Sequence, residues 1–191
     1  AYFTKGSDPV HKITIVPRGR ALGLTAQLPE RERFNYSTKY LLGRLDILMG
    51  GRSAEKIIFN DFTTGAGNDI AVATDIAKKM VCEWGMSEVI GPLTFGNKEE
   101  QVFLGKEISK PKDFSEKKST IIDNEVTKLV QKAEKNAINL LNNNIIHLHN
   151  LASVLLDKET VDGKEMESII KNGIPEEVTT DTPKKRQRRK S

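Results

Sequence analysis

The segment Thr63-Thr64-Gly65-Ala66-Gly67-Asn68-Asp69-Ile70-Ala71-Val72-Ala73-Thr74 leads a glycine turn into a helix. It sets a carboxylate in the first helical turn. With about 100° of rotation per residue, Val72, Ala73, Ile76, Ala77, Met80 and Trp84 share one side, and Asp69 falls within that apolar sector. Asp75 and Lys78 fall on the other side. An inward carboxylate is costly unless a hydrogen-bond donor or a cation meets it. Two partners answer the need. The free N–H groups of the helix's own N-terminus attract anions, and Asp is a preferred cap. A metal ion is the other. The helix alone favours its own N-terminus over a metal.

Other residues that could do chemistry are few. His147 and His149 stand two apart, which points them about 200° from one another on a helix. They read as partly exposed helix positions rather than as a ligand pair. His11 begins a strand and reads as structural. Cys82 is the single cysteine, so an internal disulfide and a Cys-rich zinc knuckle are both excluded. Gly65-Ala66-Gly67 is not a dinucleotide fingerprint: Ile70 stands where the third glycine belongs, and no buried strand precedes it.

The elements that must position Asp69 follow from periodicity and punctuation. Ala1 to Phe3 read as the last turn of a helix, closed by the loop signal Lys5-Gly6-Ser7-Asp8-Pro9. Residues 11–16 and 21–28 alternate as strands about the turn Pro17-Arg18-Gly19-Arg20, which predicts a hairpin. Ser37 or Thr38 can cap a helix with Tyr40, Leu41, Leu42, Leu45, Leu48 and Met49 inward. Gly50-Gly51 interrupts it as a close-packing or bend site, and a short segment over 53–59 follows. The helix carrying Asp69 ends near Glu83-Trp84-Gly85. Residues 87–105 read as loop, with a short strand at 93–95. From Ser115 the longest helix carries Ile122, Val126, Leu129, Ala133, Ala137 and Leu140 as one stripe. Asn142-Asn143-Asn144 breaks it. A helix over 145–156 and another capped by Asp162 complete a helical hairpin or small bundle, stopped by Gly173 and Pro175.

The expected fold class is therefore mainly α, with a small β-hairpin near the N-terminus and a C-terminal helical bundle. The expected organisation is one domain over 1–173 and a disordered basic tail over 174–191. A chain of 191 residues is long enough for one domain with a real core. No apolar run reaches the roughly 18 residues that span a bilayer. The net charge of +4 is concentrated: Lys184, Lys185, Arg186, Arg188, Arg189 and Lys190 carry six positive charges, and taking them away leaves −2 for the rest. A body-wide nucleic-acid surface is not supported. The tail would bind polyanions in a salt-dependent, non-specific way. It has no interleaved aromatics, so it reads as a solvated tail with no specific nucleic-acid partner. It could equally touch anionic lipid.

Several motifs stand in order: residues 11–23, HKITIVPRGRALG; Gly50-Gly51-Arg52-Ser53-Ala54-Glu55; Thr63 to Ile70; Glu83-Trp84-Gly85-Met86-Ser87; Gly91-Pro92-Leu93; and Val102-Phe103-Leu104-Gly105. From about residue 1 to about residue 171 the chain resembles the peptidase domain of the FtsH-type ATP-dependent zinc metallopeptidases, the membrane-anchored AAA proteases. The resemblance implies zinc, held by two histidines of a His-Glu-x-x-His helix and by an aspartate that corresponds to Asp69. A zinc-bound water then attacks the peptide carbonyl, with the motif glutamate as base. It also implies ATP used by the parent protein, assembly as a homo-hexamer, and unfolded or membrane proteins as substrates. The parent would be anchored in a membrane, its peptidase domain facing the cytoplasm or an organelle interior.

No His-Glu-x-x-His occurs in the 191 residues. By the resemblance that helix lies immediately upstream, with Ala1-Tyr2-Phe3 as its end, and the ATPase module and membrane anchors lie upstream too. Gly67 stands where the family often carries a side chain. The resemblance thus assigns Asp69 as a metal ligand and no catalytic residue in this chain, and the motifs single out no substrate-binding side chain. The isolated chain is expected to be inactive. The outer edge of the hairpin is expected to dock substrate as an added strand. The alternative is a ring-assembly module with no catalytic share.

Overall fold

The computed structural model describes residues 1–17, 19, 23–29, 34–95 and 115–174. Ser37 lies in extended backbone, and its hydroxyl accepts the Tyr40 N–H, which starts helix α1 (Thr38–Leu48). Leu41, Leu45 and Leu48 recur at helical spacing and are buried. Met49 ends α1 and opens α2 (Gly50–Phe59). A Cβ on Gly50 or Gly51 would meet nothing within 4 Å, so the pair marks a bend and not a close approach. Asn60 closes α2 in the left-handed region, its N–H donating to the Lys56 carbonyl. A single 3-10 turn (Thr64–Ala66) leads into α3 (Gly67–Cys82). Helix α4 (Glu116–Asn143) is the longest and buries Ile122, Val126, Ala133 and Ala137 of the stripe expected from its sequence, with Leu129 and Leu140 half-buried.

Helices α1, α3 and α4 share one hydrophobic core, and α2 packs on α4. Helix α4 packs against α1, α2 and α3, and α1 packs against α3. Leu45, Ala73, Ala77, Met80 and Val81 are almost fully enclosed. Alanines at 73, 77, 133 and 137 keep the facing surfaces short, which suits close helix approach. The helices belong to a compact unit drawn from Ala1–Ser7 and Arg31–Asn143.

A second unit is drawn from Asp8–Glu30 and Asn144–Ser191. Strands β1 (Val10–Thr14) and β2 (Leu24–Gln27) form the expected hairpin, with an irregularity between Val10 and Lys12. A third strand, β3 (Thr160–Asp162), pairs antiparallel with β1, giving the order β2-β1-β3. The Thr14 hydroxyl bonds the Glu159 carbonyl at 3.1 Å and the Thr160 hydroxyl at 2.9 Å, which locks the register. Helices α5 (Ile145–Lys158) and α6 (Gly163–Asn172) pack on each other. Val154, Leu155, Val161, Met166 and Ile169 form their common core, with Val10 and Ile13 of β1 against it.

The mainly α fold with a small sheet near the N-terminus is thus present. Its details differ from the sequence reading in four places. Thr160-Val161-Asp162 is a strand. The long helix α4 packs with α1–α3, while α5 and α6 pack with each other and the sheet. Residues 93–95 are not a strand; Phe95 N–H instead donates to the Cys82 carbonyl at 2.7 Å and ties the loop to the end of α3. Residues 1–6 form turns rather than a helix end, closed by Thr4 N–H to the Ala1 carbonyl. The 102–105 motif and the tail from 175 lie outside the described residues.

Gly163 is fixed by proximity. A Cβ there would collide with the Val10 carbonyl of β1, a backbone atom that cannot swing aside. The Asp162 carboxylate meanwhile accepts the Glu165 N–H at 2.8 Å and starts α6 at this point. Gly163→Ala should therefore cost about 1–3 kcal/mol, the usual penalty of overpacking. A denaturant titration that shows unchanged stability would contradict the fit.

Candidate functional site

The turn before Asp69 is built by α2. The Glu55 carboxylate takes two donors from Thr63: the hydroxyl at 2.6 Å and the backbone N–H at 3.0 Å. Thr63 Oγ1 in turn accepts the Gly65 N–H at 3.1 Å. The Thr63 hydroxyl and N–H, with the Arg52 charge nearby, hold the Glu55 carboxyl below its ordinary value. Arg52, one turn earlier on α2, lies 3.7 Å from the Phe62 ring centroid and pairs with Glu134 of α4 at 3.0 Å. Two side chains of one helix therefore hold residues 62 and 63. The Gly67 N–H donates to the Thr64 carbonyl, so the 3-10 turn passes directly into α3.

Asp69 then sits in the first turn of α3, half-buried. It is not the cap: Ala66 occupies that position and has no side chain able to bond the helix end. Among the described residues the Asp69 carboxylate has no hydrogen bond and no ion pair. The inward face of α3 is Ala73, Ala77, Met80 and Val81. Val72 and Trp84, expected inside, are 37% and 43% exposed. This rotates the buried arc so that Asp69 lies on its rim and faces neither fully in nor fully out. A side chain at Gly67 would have open space, so the glycine there imposes nothing on Asp69.

The other candidates are not brought to it. His11 is exposed on β1, and on α5 His147 is half-buried and His149 exposed. No group of three His, Cys, Asp or Glu side chains that could hold a metal occurs among the described residues. Cys82 is half-buried, and burial pushes its thiol pKa up, which makes it a poor nucleophile. A groove of about 560 Å³ in the first unit is lined by Phe3, Lys39, Leu42, Asp46 and Leu140 among others, and Asp69 is not part of it. Burial raises the Asp46 carboxyl there, while the Asn136 amide donating to it pulls the other way.

The donor chemistry can be tested against zinc. An unbonded aspartate oxygen on the rim of a helix bundle suits one position of a tetrahedral site with nitrogen and oxygen ligands. Two further ligands are needed, and the described residues do not offer them. The arrangement fits one corner of a zinc site, held by a preformed turn. The role of Glu55 is not legible in the sequence: Gly-Gly-Arg-Ser-Ala-Glu names no partner for it, and only the fold shows that this motif grips the Thr63 motif.

Comparison with known proteins fits this picture. The chain is 52% identical over 170 residues to the ATP-dependent zinc metalloprotease FtsH of Acidobacterium capsulatum, covering 89% of this chain and 26% of that protein. It is 48% identical over 184 residues to the protein of the same name from Magnetococcus marinus, covering 96% and 27%. It is 50% identical over 167 residues to FtsH 4 of Sorangium cellulosum, covering 87% and 26%. The chain spans about a quarter of the length of these curated relatives. The model of peptidase family M41 matches residues 1–169, and the chain belongs to that family.

Proposed function

We propose that this chain is part of an ATP-dependent zinc metalloendopeptidase that degrades unfolded or membrane proteins, and that its share of the active site is Asp69 as third zinc ligand. The observation that carries the reading is the Asp69 carboxylate itself: in the first turn of α3, on the rim of the buried arc, with no protein partner among the described residues. The relatives named as ATP-dependent zinc metalloproteases support the activity class. Zinc, when bound, lowers the pKa of a coordinated water towards neutrality and makes it a nucleophile. The chain's own residues hold the turn that leads into the Asp69 helix and supply the helical body around it. The two nitrogen ligands and the general base come from outside the described residues, and ATP is used by another part of the protein. Among the described residues no helix is long and apolar enough to cross a membrane, so a membrane anchor would also lie elsewhere. The helical body is the surface through which the protein forms a homo-hexamer.

The deciding experiment is the zinc content of the complete enzyme carrying Asp69→Asn. Zinc should be lost while the oligomer persists. Unchanged zinc would sink the ligand assignment and leave the ring-assembly module as the better reading.

The same proposal gives β2 a role. Among the described residues it is an outer strand of the three-stranded sheet, with β1 on its other side. An outer strand has unpaired N–H and C=O groups that an extended peptide can match. Proline at a β2 position whose N–H faces away from β1 should lower peptide turnover in the complete enzyme and leave zinc content alone. Unaltered turnover would count against strand addition.

A further inference from the structure

We infer that Glu55 is a positioning residue for Asp69, acting through Thr63 to set the direction from which α3 starts. This rests on Asp69 being a zinc ligand. The geometry is a relay of defined polarity. An ionised carboxylate only accepts, and Glu55 has both Thr63 donors. The Thr63 hydroxyl gives its single proton to Glu55, so its lone pairs are what remain for the Gly65 N–H. From Gly65 the 3-10 turn closes with Gly67 N–H on the Thr64 carbonyl. Asp69 follows two residues later, inside the first turn of α3.

Little of this contributes to the core. Thr63 and Gly65 are exposed, and hydrogen bonds in contact with water add little net stability. What the relay fixes is geometry, and geometry is what a metal ligand requires: a placement good to about 0.5 Å, set by supporting hydrogen bonds. Gly65 leaves room for it. A Cβ at 65 would stand 3.1 Å from Thr63 Oγ1 and 3.7 Å from Glu55 Oε1. The same helix holds the preceding residue through Arg52 on Phe62, so the turn is held at consecutive positions.

The test uses the complete enzyme and reads zinc affinity by competition with a chelator. Glu55→Ala removes both acceptors, so neither Thr63 bond can survive. Thr63→Val removes the hydroxyl and keeps the shape. Each should weaken zinc binding about 10- to 100-fold, the usual cost of losing an outer-shell partner, with the oligomer and the melting temperature of the zinc-free protein unchanged. The double variant should be no worse than the weaker-binding single. Thr63→Ser, which keeps the hydroxyl, should restore affinity. Unchanged zinc affinity in both single variants, with zinc lost in Asp69→Asn, overturns the positioning role and leaves the ligand reading standing. Zinc retained in Asp69→Asn overturns the ligand reading itself. A parallel fall in melting temperature and zinc affinity that Thr63→Ser does not rescue shows a purely structural staple and also overturns the inference.

Discussion

A complete enzyme carrying Asp69→Asn should lose peptide turnover by more than about 100-fold, beyond the cost of removing an outer-shell partner, while the folding stability of its zinc-free form barely moves. The two halves of this result come from the same observation. Asp69 has no hydrogen bond or ion pair to lose among the described residues, so the fold gives up nothing when the charge goes. Surface substitutions without such partners stay within about 0.5 kcal/mol. The metal loses an anionic ligand in exchange for a neutral amide oxygen. A carboxylate required only to satisfy the helix end would behave in the opposite way, with stability falling and zinc content unchanged. Metal content and the melting of the zinc-free protein on one preparation therefore test the ligand role, the cap position being held by Ala66.

Leu45→Ala should have the largest effect on stability. Leu45 is fully enclosed in the middle of α1, within the core that α1 shares with α3 and α4. Truncating a buried leucine costs about 2–5 kcal/mol, because the hole is only partly refilled. The same core holds short side chains (Ala73, Ala77, Ala133 and Ala137) and long ones (Met49 and Met80), so the expected value lies within that range. Domains of this kind have about 5–15 kcal/mol in total. A chemical denaturation midpoint that shifts by less than a 1 kcal/mol equivalent would mean that the helices close the gap.

Some of this was legible in the sequence because the signals were local. The stripe of α4, the break at Asn144 and the Ser37 cap each follow from a few neighbouring residues. Asp69 was legible as a first-turn carboxylate for the same reason. Its orientation was only half legible. Counting Val72 and Trp84 as apolar placed the buried arc too far round, since hydrophobic type does not say which face the neighbours will cover. Strand β3 was not legible. Three residues carry no alternation to read, and Asp162 reads as a helix cap, which it also is. The link from Glu55 to Thr63 joins two motifs across a bend whose angle no residue pattern specifies.

The pairing of Thr14 with Thr160 spans 146 residues. The four helices over 38–143 lie wholly between the two strands. A ribosome releases β1 well before β3, so the sheet must wait while the intervening helices form. Non-local pairings of this kind fold slowly, since loop closure precedes any gain. Until Val161 arrives, Ile13 and Val10 have no cover and β1 has an open edge. That interval is when the chain is most prone to join a second copy of itself. A truncation ahead of Thr160 would make it permanent.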